Sequence, residues 1–391
     1  MRLISFKVKN YKSFNNEQKI VFSDSPKNVT AFFGPNSSGK TNLFSAVDFY
    51  CDFILHSTDF RRRKILSQDY FRFVSENAEL PTEFGSEFET DGIKYRYNFS
   101  VLRNGNVDDE KLQRDNGSGY VTIFARKSLK NNTYEEYGFS SKILGETRQD
   151  SLVLTRAYTA NNKIAMSVVS GIEKVMAFSM MNFHGYTAEK VLENPIMKGK
   201  VLNFLKMADL YIQDFSVKKN EMYDKMMQNS LLSDEAMKLF KRSSYEVMTT
   251  HILRDASGAV IGVKDMSLNE NESSGTNRIF SYALPVIEAL EEGKVLYIDE
   301  LEVNLHPREC AFIVKLFDSE NGMNLANGQL IINTHETSLM DILGKENVYL
   351  LGKDRFESTV IGKLVGARND DKNLAKKYNV GMFGAVPRVE I

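Results

Sequence analysis

One octapeptide constrains this chain more than any other stretch: Gly34-Pro35-Asn36-Ser37-Ser38-Gly39-Lys40-Thr41. It fits the phosphate-loop pattern G-x-x-x-x-G-K-[ST] in full. The residues before it, KNVTAFF, read as a strand, and those after it, TNLFSAVDFYCDFIL, read as a helix. A strand, a glycine-bearing turn and a helix in that order belong to an α/β fold. The glycines let backbone N–H groups face a phosphate, and the helix aims its positive end at the same place. Gly34 to Gly39 are therefore expected to cradle the phosphates of a nucleotide, with Asn42 beside them in the first turn of the helix. Lys40 is expected to reach the β- and γ-phosphates, and the Thr41 hydroxyl to ligate Mg²⁺.

The rest of the chain has room for more than this unit. Its 391 residues suggest two or three domains. Residues 2–10 alternate apolar and polar side chains like a half-buried strand. Short alternating segments between about 80 and 140, divided by RNGNVDD and RDNGSG, predict an antiparallel sheet. The pattern turns helical from about 145 to 212, and again over 220–243. YEVMTTHILRDASGAVIGVKDMSL reads as a hairpin turning at Asp255-Ala256-Ser257-Gly258. KVLYIDE and GQLIINTHE then read as buried strands of a covered parallel sheet. The predicted architecture is an α/β head split in sequence. Its first lobe spans 1–140, a helical and β insertion 141–265, and its second lobe 266–391.

Composition excludes some classes. No apolar run reaches a membrane span, and MRLISFKVKN lacks the apolar core of a signal peptide. Cys51 and Cys310 are far apart and the five histidines are not clustered, which fits a reducing cytoplasm and no metal-ligand spacing. A net charge of -1 argues against a blanket nucleic-acid binder.

Two further motifs complete a catalytic edge. KVLYIDE ends in Asp299-Glu300, at the end of a strand where α/β sheets bind ligands. Asp299 is expected to hold Mg²⁺ through water, and Glu300 to orient or deprotonate the attacking water. His335 follows the buried strand of GQLIINTHE, so it belongs to the same edge, where a neutral imidazole could contact a γ-phosphate or that water. A third motif raises a question of economy. Ser273-Ser274-Gly275-Thr276 forms a second anion cradle at a helix start, although the phosphate loop already surrounds the chain's own nucleotide. Read as a plain structure, Ser-Ser is a helix N-cap. Read as a composite site, it binds the γ-phosphate of a nucleotide held by a second copy. The second reading predicts a head-to-tail homodimer with two nucleotides in its interface.

With these motifs in this order, the chain resembles ABC-type ATPases of the Rad50/SMC/RecF group. Within that group it is most similar to the compact ATPases of anti-phage defence, including abortive-infection proteins and the ATPase half of OLD-family systems. ESSGTNRIFSYALPVIEALEEGKVLYIDELEVNLHP carries the likeness most specifically, and KNYKSF and the tail NLAKKYNVGMFGAVPRV extend it. The resemblance implies ATP and Mg²⁺ as cofactors and Lys12 and Ser13 as residues approaching the nucleotide. It further implies Ser273 and Gly275 as trans contacts, Glu300 as the hydrolytic glutamate and His335 as the switch histidine. Leu301 to Leu305 would cross the dimer interface. Glu-Ser-Ser-Gly-Thr departs from the transporter form Leu-Ser-Gly-Gly-Gln, which counts against a transporter motor. Gln68 is the nearest candidate for the Q-loop glutamine.

What the chain lacks is also part of this expectation. Residues 336–391 are too few for a Toprim domain and carry no Glu…Asp-x-Asp constellation, so any nuclease is expected to be a separate protein. The implied role is a slow, switch-like ATPase that senses a phage-encoded trigger and controls that toxic effector, in dimers or higher oligomers. The alternative is a RecF-like DNA clamp of repair. The basic, aromatic-interleaved stretch DFRRRKILSQDYFRF, with residues 61–64 at its centre, leaves nucleic acid open as a partner. A charge run of this kind more often marks a solvated helix face.

Overall fold

The computed structural model describes residues 1–22, 27–59, 69–127, 139, 141–178, 183–219, 245–318, 322–364 and 373–384. Gln68, the basic residues 61–64, the expected helix 220–243 and the last residues of the tail, 385–391, lie outside them. The fold is mixed α/β, as the sequence predicts, and rests on two six-stranded sheets.

The main sheet runs β15-β14-β3-β13-β12-β8, formed by Thr359–Lys363, Val348–Lys353, Val29–Phe33, Gln329–Asn333, Val295–Ile298 and Val175–Phe178. All neighbours are parallel except the edge hairpin β14–β15. Strands β3, β12 and β13 are buried at every position, because both faces of the sheet are covered. Side chains alternate between two cores, as strand geometry requires. Leu296 and Ile298 face one core and Val295 and Tyr297 the other.

The first core lies under helix α8 (Ser274–Glu292) and helices α5 (Phe183–Glu193), α6 (Pro195–Met207) and α9 (Pro307–Leu316). The second joins helix α1 (Lys40–His56) to the other six-stranded sheet. That sheet is antiparallel and runs β2-β1-β4-β5-β6-β7, from Gln18–Val21 and Arg2–Lys9 to Thr82–Thr90, Ile93–Val101, Val107–Asp115 and Tyr120–Lys127. On α1, Leu43, Phe44, Val47, Tyr50, Cys51 and Ile54 are buried, the spacing of one helical face. Phe44 meets Tyr297 edge to face at 5.2 Å between centroids. Burial pushes both thiols up, that of Cys310 to about 12.

The stretch read as continuously helical differs in one respect. It contains helices α2 (Ser141–Glu146), α3 (Val153–Thr159), α4 (Lys163–Ile172), α5 and α6, but also strand β8, which pairs with β12 at the edge of the main sheet. Four residues among helices carry too short a pattern to read as a strand; pairing with β12 makes them one. The predicted hairpin is present as β10 (Tyr245–Arg254) and β11 (Val260–Ser267), joined to β9 (Asp214–Lys219) in a three-stranded sheet. No described helix is long and apolar enough to cross a membrane.

A buried carboxylate fastens α3 to the antiparallel sheet. Glu110 on β6 is 1% exposed. It accepts hydrogen bonds from the Tyr97 hydroxyl at 2.7 Å and from the N–H groups of Val153 at 2.7 Å and Leu154 at 3.0 Å. Helix α3 has no side-chain cap from its own N-cap residue, Leu152, so Glu110 supplies that function from another element. Burial raises its pKa, and the three donors and Arg126 oppose the rise. Glu110→Ala leaves two buried N–H groups without an acceptor. It is expected to cost about 3 kcal/mol, more than Glu110→Gln, in a denaturant melt.

Candidate nucleotide-binding site

The carboxyl ends of β3, β13 and β12 open on one edge of the main sheet, and β13 lies between the other two. Residues 34–39 leave β3 as a tight loop that ends at the N-terminus of α1. Gly39 has φ 105° and caps α1 without any side-chain hydrogen bond. A Cβ there would stand 2.1 Å from Thr359 Oγ1 and 2.8 Å from Ser13 Oγ, so glycine is required by both backbone and neighbours. Ser37 is also left-handed, at φ 62°. Lys40 Nζ donates to the carbonyls of Gly34 at 2.8 Å and Pro35 at 3.1 Å. Asn36, Ser37 and Thr41 are exposed, Asn42 is half-buried, and Ser38 is buried. Burial lowers the pKa of Lys40, against the pull of Glu302, Asp299 and Glu300. Three carboxylates therefore act on the ammonium of the phosphate loop.

Asp299 is buried and Glu300 is half-buried in the left-handed region, at φ 53°, a conformation that costs a non-glycine residue about 1 kcal/mol. Asn333, the last residue of β13, ties the two motifs together. It is fully buried, and its Nδ2 donates to Asp299 Oδ1 at 2.9 Å and to the Lys40 carbonyl at 2.8 Å. Its position at the end of an apolar strand, just before Thr-His, is the signal in the sequence that could have singled it out.

Glu302 fixes the next turn. Its carboxylate accepts the Thr334 hydroxyl at 2.6 Å and the His335 N–H at 2.8 Å. The His335 side chain stands exposed on the same edge. Its pKa is lowered, first by partial loss of water and then by Lys40, while Glu302, Glu300 and Asp299 pull it up. Its protonation therefore falls below the ordinary histidine range, which favours the neutral ring. Glu302 is legible only in hindsight, as the second carboxylate after Asp299.

Ser13 lies against the same loop, and Lys12 against α1. Ser13 Oγ lies 2.8 Å from Thr359 Oγ1, which also donates to the Ser38 carbonyl at 2.8 Å. Lys12 Nζ donates to Ser45 Oγ on α1 at 2.6 Å.

Ser273 to Thr276 open α8, not the phosphate loop. Ser273 caps the helix, accepting the Thr276 N–H at 3.0 Å. Its hydroxyl also lies 2.9 Å from Thr276 Oγ1. If Thr276 donates in that pair, the Ser273 proton stays available to a further acceptor. Ser273 and Ser274 are exposed, Gly275 is half-buried and Thr276 is buried. A Cβ on Gly275 would stand 3.0 Å from the Asn304 carbonyl, so the turn packs against Asn304. Among the described residues, no hydrogen bond joins 273–276 to 34–42.

Thr41 and Asp299, the latter oriented by Asn333, are the residues that would hold a divalent cation here. Among the described residues no group of three or more His, Cys, Asp or Glu could hold a metal. Two protein oxygens beside a phosphate loop fit Mg²⁺, which keeps water and takes phosphate oxygens for its remaining positions.

Residues 29–159 and 239–341 match the family model described as AAA domain, putative AbiEii toxin, Type IV TA system. Among solved structures, the chain is similar to the SMC head domain from Thermotoga maritima. That match has a TM-score of 0.44 and 15% identity over 94% of this chain and 100% of the other. It is also similar to the Smc head domain with an extended coiled coil bound to the C-terminal domain of ScpA, derived from Pyrococcus furiosus. There the TM-score is 0.45 and the identity 13%, over 98% of this chain and 99% of the other. No curated protein matches the chain.

Proposed function

The chain belongs to the family of the AAA domain, putative AbiEii toxin, Type IV TA system, and from that premise we propose that it binds and hydrolyses ATP with Mg²⁺ as the switch of a defence system. The observation that carries this reading is the Asn333 bridge, which holds the start of α1 and the Asp299 carboxylate on one edge. Backbone N–H groups at the loop and at the head of α1 bind the phosphates, and Lys40 neutralises the outer ones. Glu300 takes the proton of the attacking water, and neutral His335 contacts that water or the γ-phosphate. Bound Mg²⁺ would supply charge neutralisation between the phosphates, held by Thr41 and Asp299.

Two copies complete the site. Ser273 and Gly275 of one copy meet the γ-phosphate bound to the other, in a head-to-tail homodimer around two ATP molecules. The exposed Ser273 and the packing of Gly275 on Asn304 support this. The family description supports a toxin–antitoxin or abortive-infection setting. Within it, ATP-bound dimers restrain or release a separate toxic effector, such as a nuclease, in response to a phage-encoded trigger.

The reading predicts that ATP turnover per chain falls as the protein is diluted through the dimer's dissociation range. ATP with Mg²⁺ should also double the mass measured by light scattering. Turnover per chain that stays constant at every dilution, with a monomer mass throughout, would remove the dimer reading.

A further inference from the structure

The hairpin β14–β15 does more than close the edge of the main sheet, and what it does bears on the phosphate loop. Thr359, the first residue of β15, is fully buried. Its Oγ1 lies 2.8 Å from the Ser38 carbonyl, 2.8 Å from Ser13 Oγ and 3.1 Å from Lys353 Nζ. Its N–H donates to the Ser13 carbonyl at 2.7 Å. A carbonyl can only accept and an ammonium can only donate, so Thr359 Oγ1 donates toward Ser38 O and accepts from Lys353 Nζ. Its hydroxyl faces both the Ser38 carbonyl and Ser13 Oγ as donor.

This arrangement has a consequence for Gly39. The Ser38–Gly39 peptide is planar and trans, so its N–H points opposite to its carbonyl. Fixing the Ser38 carbonyl on Thr359 therefore fixes the Gly39 N–H on the opposite face of that peptide. The φ of 105° at Gly39 places that peptide where any Cβ would strike Thr359 Oγ1.

We propose that Thr359 is a positioning residue for phosphate binding: it orients the Ser38–Gly39 peptide so that the Gly39 N–H is presented to a nucleotide phosphate, and it holds Ser13 against the same loop. Nucleotide binding is thereby tied to a hairpin 321 residues away in sequence. The inference rests on the nucleotide-binding reading of the loop.

The test is a titration of the full chain with a fluorescent ADP analogue and Mg²⁺, for wild type, Thr359→Val and Thr359→Ser. Valine keeps the shape and removes the hydroxyl, and the peptide can then rotate. Loss of one N–H bond to a charged phosphate weakens binding by about 10- to 100-fold, whereas serine stays within about threefold of wild type. In turnover, KM for ATP rises by the same factor for valine while kcat at saturation is kept. The Gly39 amide proton moves downfield on adding the nucleotide in wild type and the serine variant, but not in the valine variant. If the valine chain does not fold, Thr359→Cys carries the test, since a thiol keeps the volume with only a weak donor.

Equal affinity for wild type and valine overturns the inference. So does a serine variant as weak as valine, because packing rather than the hydroxyl would then be at work. A wild-type chain that binds no nucleotide overturns the nucleotide reading itself, a result distinct from both.

Discussion

Glu300→Gln is expected to lower ATP turnover by about 100-fold or more while leaving ATP binding in place. Removing a positioned general base typically costs two to four powers of ten. The substitution is nearly isosteric, and among the described residues the Glu300 carboxylate makes no hydrogen bond that its loss would break. Its backbone carbonyl, which accepts from Arg278 at 3.4 Å, is untouched. The fold and the left-handed turn at 300 should therefore survive, which a thermal melt checks. ATP bound without hydrolysis should accumulate as stable dimers, seen as a doubled mass in size-exclusion chromatography with light scattering. Turnover within a factor of two of wild type would take Glu300 out of the chemistry. If the variant is inactive yet remains monomeric with ATP, the dimer fails and the catalytic role stands.

The second large effect separates the two halves of a composite site. Lys40→Ala removes the ammonium proposed to meet the phosphates, and each homodimer of that variant is expected to be inactive. Ser273→Arg places a bulky cation at the helix start and should also abolish turnover. It removes the cap bond to Thr276 as well, at a cost of about 1 kcal/mol, so its melt is compared with wild type. Mixing the two inactive chains in equal amounts then gives mixed dimers. In each of these one site carries both defects and the other carries neither, so about a quarter of wild-type turnover should return. No chain acting alone can produce this recovery. A mixture as inactive as its components refutes complementation in trans. Full activity in Ser273→Arg alone would show that the second cradle is only a helix cap.

Several elements of this protein were legible because their cause is local. The phosphate loop needs glycine at 39 and a helix starting at Lys40, and both are written within eight residues. The unbroken apolar runs of β3, β12 and β13 follow from a sheet covered on both faces. Ser273 is a helix-starting residue wherever it sits, and the structure uses it as one. The alternation over 80–127 gives antiparallel strands. β8 was not legible, because Val175–Phe178 becomes a strand only by pairing with Val295–Ile298.

The composition of the site divides in the same way. Sequence by itself determined which groups could do chemistry here: the loop lysine, the Asp-Glu pair at a strand end, and the histidine after the next strand. Their meeting was decided by tertiary structure. The strand order sets β13 between β3 and β12, so that Asn333 reaches both Lys40 and Asp299. Strand β15 returns under the loop, so that Thr359 meets Ser13 and Ser38. Glu110 caps a helix from a distant strand. Residue type and spacing specify backbone conformation over a few neighbours, whereas hydrogen bonds between segments hundreds of residues apart exist only once the sheets have closed around their cores.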